Sequence, residues 1–441
     1  MASKTWCPLP WNHVSIKGNG TFRLCCHANT GQNRGVLFGE DGDILRVQTA
    51  DWKDVINSPK MREVRKAQLN GEWHPYCDRC KRESESGMDT RMETERRIWH
   101  DFTEEDARAA TNEDGSIDPD PVEFIDIRFG NLCNLKCVMC SPTDSSQWYD
   151  DYVKLWGWEG FKDTDGRVQL VKEGNRYRPQ NNPFEWYDNE HFWQQVNLFR
   201  NGFKKMYIVG GEPLIIKEHY DFLQECVDAG IAGNITLEYN TNATTVPQRA
   251  LDIWKHFKEV RLGISIDAVG EVNDIIRYPS HWDTVCRNIR KLDEADGNYV
   301  LWFTVSVSLL NLIDLPRLMK WKLEQNYNRV NTWRDKPIIC PHPVHRPPDL
   351  NMMILPKELK EEVQRRFDYE SMSFTHPNPK IEQDFSKILN SYIDYMWRED
   401  RSDELHKFFT YMDRLDDIRG TNWRSAIPEL AELLKDYDDK V

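Results

Sequence analysis

Val122-Glu-Phe124-Ile-Asp-Ile-Arg-Phe129 leads straight into Cys133-Asn-Leu-Lys-Cys137-Val-Met-Cys140, and this passage decides how the chain reads. The first segment has the β-branched and aromatic content of a strand. The second places three thiols, Cys133, Cys137 and Cys140, within one short loop, close enough to ligate a single metal centre. Thiolates are the usual ligands of iron–sulfur clusters; a four-iron cube takes four ligands, and this loop supplies three. A closed zinc site completed by a distant Cys or His is the alternative, although zinc sites more often pair cysteines as two separated CxxC knuckles.

Outward from the loop, strands and helices alternate. Lys205-Met-Tyr-Ile-Val209 predicts a second strand, ending at Gly210-Gly211-Glu212-Pro213, and Ile216, Tyr220, Leu223 and Val227 then recur at helical spacing. Ile235–Tyr239, Val260–Ile266 and Val300–Val307 predict further strands, with a sixth through Arg329–Trp333 or Ile338–Cys340. Repeated strand–helix order implies a parallel sheet with crossover helices, curved or closed into part of a barrel. In such sheets functional groups collect at the carboxyl ends of the strands, where both the cysteine loop and the Gly-Gly-Glu fall. The division expected is a cysteine-rich unit at 1–90, a charged linker at 91–120, the α/β core at 121–345 and a mainly helical extension at 346–441. Within the core, 144–200 is a Trp- and Tyr-rich insertion, read as an extra packed helical layer ahead of a substrate-lining role.

The cysteine-rich unit predicts a hairpin, Val14–Ile16 and Phe22–Leu24 about a Gly-Asn-Gly turn, and a helix after Ser58-Pro59. In the extension, 382–397 has one apolar face, and Arg419-Gly-Thr-Asn422 reads as a helix stop with a restart at Asn422. Its density of polar residues has no account in the sequence.

Composition narrows the function. The 441 residues include 17 Trp and 11 Cys and carry a net charge of −14, which argues against general affinity for nucleic acid or anionic membranes. No run of about eighteen apolar residues is present to span a bilayer. The start, Met1-Ala-Ser-Lys-Thr-Trp-Cys7, lacks the apolar core of a secretory signal, so a cytoplasmic protein is expected, with cysteines serving as metal ligands rather than disulfides.

The CxxxCxxC loop after a first strand, with Gly210-Gly211-Glu212-Pro213 about seventy residues later, resembles the radical SAM superfamily over most of 121–345. The resemblance implies a partial (β/α)6 TIM-like barrel. Cys133, Cys137 and Cys140 would hold a [4Fe–4S] cluster whose fourth iron takes S-adenosylmethionine. One electron then splits the sulfonium to a 5′-deoxyadenosyl radical that abstracts a substrate hydrogen. It further implies that Gly210, Gly211 and Glu212 grip the amino group, that Ser265 and Asp267 face the ribose, and that Arg277 pairs with the carboxylate. Asn240 and Asn242 fall at the end of the third predicted strand and could serve the same pocket. Met139 stands where the family often has an aromatic beside adenine.

Cys7, Cys25 with Cys26, and Cys77-Asp-Arg-Cys80 resemble the twitch or SPASM domain, which binds an auxiliary [4Fe–4S] cluster. Cys7, Cys25, Cys77 and Cys80 are the expected ligands, Cys26 is an alternative to Cys25, and a structural zinc ribbon is the competing reading. The module precedes the core here, whereas in the family it usually follows. Such relatives act mainly on peptides and proteins, some on small alcohols or sugars, and draw electrons from a donor such as flavodoxin or ferredoxin. The expectations are therefore a peptide or protein substrate, a small-molecule dehydrogenase as the alternative, and, further off, a non-catalytic redox or assembly protein. Cys340, beside Pro341 and near His342 and His345, is a candidate hydrogen-atom donor or metal ligand, with a buried inert thiol as the plainer reading.

Overall fold

The computed structural model describes residues 3–30, 32–85, 90–118, 122–163, 166–330 and 338–438. Eight strands form one sheet: β1 (His13–Ile16), β2 (Phe22–Arg23), β3 (Phe124–Phe129), β4 (Lys205–Gly210), β5 (Thr236–Thr241), β6 (Glu259–Ser265), β7 (Tyr299–Val307) and β8 (Cys340–Pro343). Their spatial order is β2-β1-β3-β4-β5-β6-β7-β8. From β3 to β8 every neighbour is parallel, so each strand is followed by a crossover that returns the chain beside the last one. This is the α/β core with a parallel sheet expected from the sequence, with a helical C-terminus.

Strand alternation explains why the sheet can enclose a polar interior. One face carries Ile125, Ile127, Met206, Ile208, Leu237, Val260, Leu262, Ile264, Leu301, Phe303 and Val305, all buried in the main core. The other carries Asp126, Arg128, Tyr207, Asn240, Ser265 and Thr304, brought onto one side by the register. A parallel sheet buried on both faces ordinarily reads as continuous apolar runs. The polar inner face departs from that and leaves room for a ligand.

The N-terminal unit is joined to this sheet edge-on. β1 pairs in parallel with β3, Val14 opposite Ile125 and Ile16 opposite Ile127, while β2 turns back antiparallel about Gly20 at φ 76°. The cysteine-rich unit therefore continues the core sheet on the side of the cysteine loop, although it precedes the core in sequence.

Three stretches differ from expectation. The charged stretch 91–120 contains two helices, Arg91–Ile98 and Glu104–Ala109, each started by a reciprocal capping box, Thr90 with Glu93 and Thr103 with Asp106. The insertion holds two helices, Trp148–Trp156 and Glu190–Phe199, and also an antiparallel three-stranded sheet of Gly160–Asp163, Gly166–Glu173 and Arg176–Pro179. Of its tryptophans, Trp148 and Trp186 are buried, whereas Trp158 is exposed. The sixth core strand begins at Cys340; of the other segment offered for it, Val330 makes a lone bridge to Leu301, and 331–333 lie outside the described residues. In the extension, helix Pro379–Met396 buries Phe385, Ile388, Leu389, Tyr392, Ile393 and Met396, the face read from the sequence.

Candidate active site

The three thiols of the loop meet at the carboxyl end of β3. Cys133 and Cys137 are buried and Cys140 is half-buried. The Leu135 N–H donates to Cys133 Sγ at 3.4 Å, the kind of contact that stabilises charge on sulfur. Burial pushes the Cys133 thiol up to about 12, while a hydrogen bond from Cys140, helped by the Arg277 and Arg419 guanidiniums, draws Cys137 down. The same bond, with burial, holds the Cys140 proton in place. A centre binding here must displace protons from buried sulfur, which iron does by direct ligation.

Beside the thiols lies a cavity of about 330 Å³ lined by Cys133, Cys137, Met139, Cys140, Gly210, Gly211, Asn240, Asn242, Ser265 and Arg277. Its volume is at the lower end of the range of about 300–1,000 Å³ typical of ligand pockets. Thus three thiols and seven of the other ten candidate residues share one space.

Glu212, Asp267 and Cys340 sit elsewhere. Glu212 is 1% exposed, and its carboxylate accepts from Leu214 N–H (3.1 Å), Thr241 Oγ1 (2.8 Å) and Asn242 N–H (2.7 Å). It stands one layer behind the wall and fixes the backbone of β5's end, a different placement from the direct grip expected. Burial raises its pKa from 4.5 to about 7. Asp267 is likewise enclosed: it accepts from Ser306 N–H at 2.7 Å and pairs with Arg277 at 2.8 Å, so it orients the arginine instead of facing a ribose. Cys340 is buried on β8, 3.5 Å from His342 Nε2, and does not line the cavity.

The glycines also act differently from expectation. A methyl on Gly211 would meet the Leu132 carbonyl oxygen at 2.3 Å, and one on Gly210 would meet that of Phe129 at 2.5 Å. Their want of a side chain lets β4's end press against the cysteine loop, and Glu212 N–H closes the contact on Leu132 O at 2.8 Å.

Five lining residues escaped the sequence reading as site residues: Arg128, Asp144, Tyr207, Val209 and Thr241. Arg128 and Asp144 approach to 4.0 Å at the mouth, and the Tyr207 hydroxyl accepts from Asn240 Nδ2 at 2.7 Å. The inward parity of β3 and β4 was the available signal, since Arg128 and Tyr207 alternate with the core positions Ile127 and Ile208.

In the N-terminal unit, Cys7, Cys25, Cys77 and Cys80 line one small cavity with Gln68 and Arg91. Cys7 precedes a helical turn, Cys25 follows β2, and Cys77-Asp-Arg-Cys80 opens helix Asp78–Glu85. Gln68, 2% exposed, accepts from Cys7 N–H at 3.0 Å and reaches Cys77 Sγ at 3.7 Å. Cys26 turns away from the cavity and contacts the Arg91 guanidinium. Burial raises all four lining thiols, Cys25 to about 12. Ligand atoms of His27, Cys80 and Glu83 lie within 4.8 Å of one another.

Two thiol sets thus gather in separate cavities, three in one and four in the other, a donor set that suits iron–sulfur centres. Residues 127–321 match the radical SAM superfamily and residues 7–81 match the iron–sulfur cluster-binding SPASM domain. A stretch of 155 residues is 32% identical to GTP 3′,8-cyclase of Campylobacter lari, covering 32% of this chain and 47% of that protein. The chain thus spans about half the length of that relative. Two structures of Streptococcus suis SuiB are remote likenesses. The one bound to S-adenosylmethionine is 14% identical, covering 71% of this chain and 62% of that one at a TM-score of 0.32. The one bound to precursor peptide SuiA is 15% identical, covering 63% and 60% at a TM-score of 0.27. No helix among the described residues is long and apolar enough to cross a membrane.

Proposed function

We propose that this enzyme cleaves S-adenosylmethionine reductively and removes a hydrogen atom from a peptide or protein. The observation that supports it most directly is the single cavity shared by Cys133, Cys137, Cys140, the Gly210–Gly211 backbone and Arg277. Three thiols hold a cluster and leave one iron for a ligand. With its cluster bound, such a site passes one electron to the sulfonium and supplies the 5′-deoxyadenosyl radical. The chain's own residues do the positioning. Arg277, held by Asp267, presents a fixed cation to a carboxylate. The Gly210–Gly211 backbone would line the ammonium end, Ser265 and Asn240 would offer hydrogen bonds to ribose, and Met139 would offer a polarizable surface to adenine. Arg128, Asp144 and Tyr207, on the outer side of the cavity, are left for the substrate.

The peptide assignment is supported by the SPASM module, whose relatives mainly modify peptides and proteins. Cys7, Cys25, Cys77 and Cys80 would close the auxiliary cluster, which favours electron transfer over direct substrate ligation. An external one-electron donor and a reducing, cytoplasmic setting complete the proposal; all eleven cysteines are free thiols. A second reading, a nucleotide-sized substrate, is favoured by the partial match to GTP 3′,8-cyclase.

Reduced holoenzyme given S-adenosylmethionine and a deuterated cell extract distinguishes the two. The proposal expects deuterium in 5′-deoxyadenosine, abolished when the extract is pretreated with protease and retained after phosphatase. Label lost with phosphatase and retained after protease would replace the peptide by a nucleotide.

A further inference from the structure

The Arg-Gly-Thr-Asn segment at the chain's far end bears on the cysteine loop. Helix Leu405–Arg419 stops on Gly420 at φ 66°, and the chain restarts with Asn422 capping Ser425 N–H at 2.9 Å. That stop delivers Arg419 into the protein with its side chain 2% exposed. Its Nε pairs with Asp151 at 2.8 Å, and the other oxygen of Asp151 takes Lys136 Nζ at 2.8 Å. Lys136 lies between Cys133 and Cys137. The guanidinium also covers the rings of Trp148 at 4.9 Å and Tyr278 at 5.3 Å.

Both residues hold the loop in turn, Trp148 by its ring and Tyr278 by its backbone. Trp148 Nε1 donates to the Cys137 carbonyl at 3.0 Å, and the Tyr278 carbonyl accepts from Lys136 N–H at 2.7 Å. One helical face further back, the Tyr411 hydroxyl donates to the Val138 carbonyl at 2.8 Å. Val138 N–H is taken by Ile276 O at 2.8 Å. Consecutive backbone groups from Lys136 to Val138 are thus fixed, and helix Leu405–Arg419 supplies or backs most of the partners. Nη2 of Arg419 is buried without a hydrogen-bond partner, so the cation is held by stacking and one carboxylate.

We propose that the C-terminal helix is a brace for the loop holding the S-adenosylmethionine cluster, and that Arg419 is its positioning residue. This rests on the reading of Cys133, Cys137 and Cys140 as ligands. Arg419 does two separable things. Its guanidinium over Trp148 and Tyr278, paired with Asp151, fixes the loop, a combination that Lys does not reproduce. Its charge beside Cys137 stabilises the more negative, reduced cluster, and net charge around a cluster sets its potential.

The test uses full-length holoenzyme carrying Arg419→Gln, Arg419→Lys or Tyr411→Phe. An EPR redox titration identifies the S-adenosylmethionine cluster by its spectral change when S-adenosylmethionine is added, and a chelator challenge times iron loss. Arg419→Gln is expected to move that cluster's midpoint to more negative potential, leave the auxiliary midpoint in place, and speed its iron loss about tenfold, as outer-shell changes at metal sites do. Arg419→Lys is expected to restore the midpoint but not the retention. Tyr411→Phe, a milder change should Arg419→Gln misfold, is expected to speed loss without moving the midpoint. A wild-type midpoint and wild-type retention in Arg419→Gln, or equal loss from both clusters, would overturn the brace. Intact cluster in Cys137→Ala would instead overturn the ligand reading beneath it.

Discussion

Gly211 and Glu212 act as a pair behind the cavity wall, one by having no side chain and the other by filling the space behind it. Because an added methyl at Gly211 meets Leu132 O at 2.3 Å, Gly211→Ala forces β4's end away from the cysteine loop. A loss of about 1–3 kcal/mol in stability is expected, the usual cost of overpacking. Denaturant unfolding measures it, and a weaker affinity for S-adenosylmethionine should accompany it. Glu212 predicts a pH dependence. The folded protein keeps this proton up to about pH 7, whereas the unfolded chain releases it near 4.5. Folded-state proton binding is therefore in excess between those values, and the stability it contributes is lost as pH rises through them. Gln does not titrate, so the stability of wild type relative to Glu212→Gln should fall from pH 4.5 to 7 and then level off. A difference that rises with pH would contradict this placement. The motif Gly210-Gly211-Glu212 was visible in the sequence, but its contacts were not. Which partner a glycine approaches, or which donors a carboxylate takes, depends on residues as distant as Leu132 and Asn242.

Helix Arg91–Ile98 shows what composition conceals at the scale of an element. The charged stretch 91–120 reads as a linker, yet Thr90-Arg-Met-Glu93 and Thr103-Glu-Glu-Asp106 each spell a capping box, a start signal that outweighs polarity over so short a helix. This helix delivers Arg91 and Met92 to the auxiliary cavity. Thr90→Ala is expected to cost about 1 kcal/mol, as loss of an N-cap does. In a chelator challenge, iron should leave the auxiliary site first; simultaneous loss from both sites would separate the cap from that cavity. The longer elements were easier to read. The 382–397 helix and strands β3 to β7 declare themselves by period, because each buries a continuous face. The insertion's three-stranded sheet did not, since it is mostly exposed and lacks a buried alternation.

Over the whole molecule, the order of modules in the chain and their order in space differ. β1 continues the core sheet beside β3, so the auxiliary unit and the radical core share a hydrogen-bonded edge and one hydrophobic core. Sequence showed both modules but not this joint, because a four-residue strand such as His13–Ile16 carries no signal of its partner. A shared sheet predicts shared unfolding. Removing iron from the holoenzyme should lower the temperature of one common transition, read by calorimetry; two transitions, with the core's unmoved, would contradict it. The auxiliary unit and the C-terminal helix thus join the same core from opposite ends of the chain.

The central claim concerns Cys133, Cys137 and Cys140 and the ligand they leave room for. Holoenzyme reconstituted anaerobically, carrying about eight irons per chain, should form 5′-deoxyadenosine when reduced in the presence of S-adenosylmethionine. Cys137→Ala, prepared alongside, should form none. Absence of 5′-deoxyadenosine from fully loaded wild-type enzyme, or its undiminished formation by Cys137→Ala, would contradict the account.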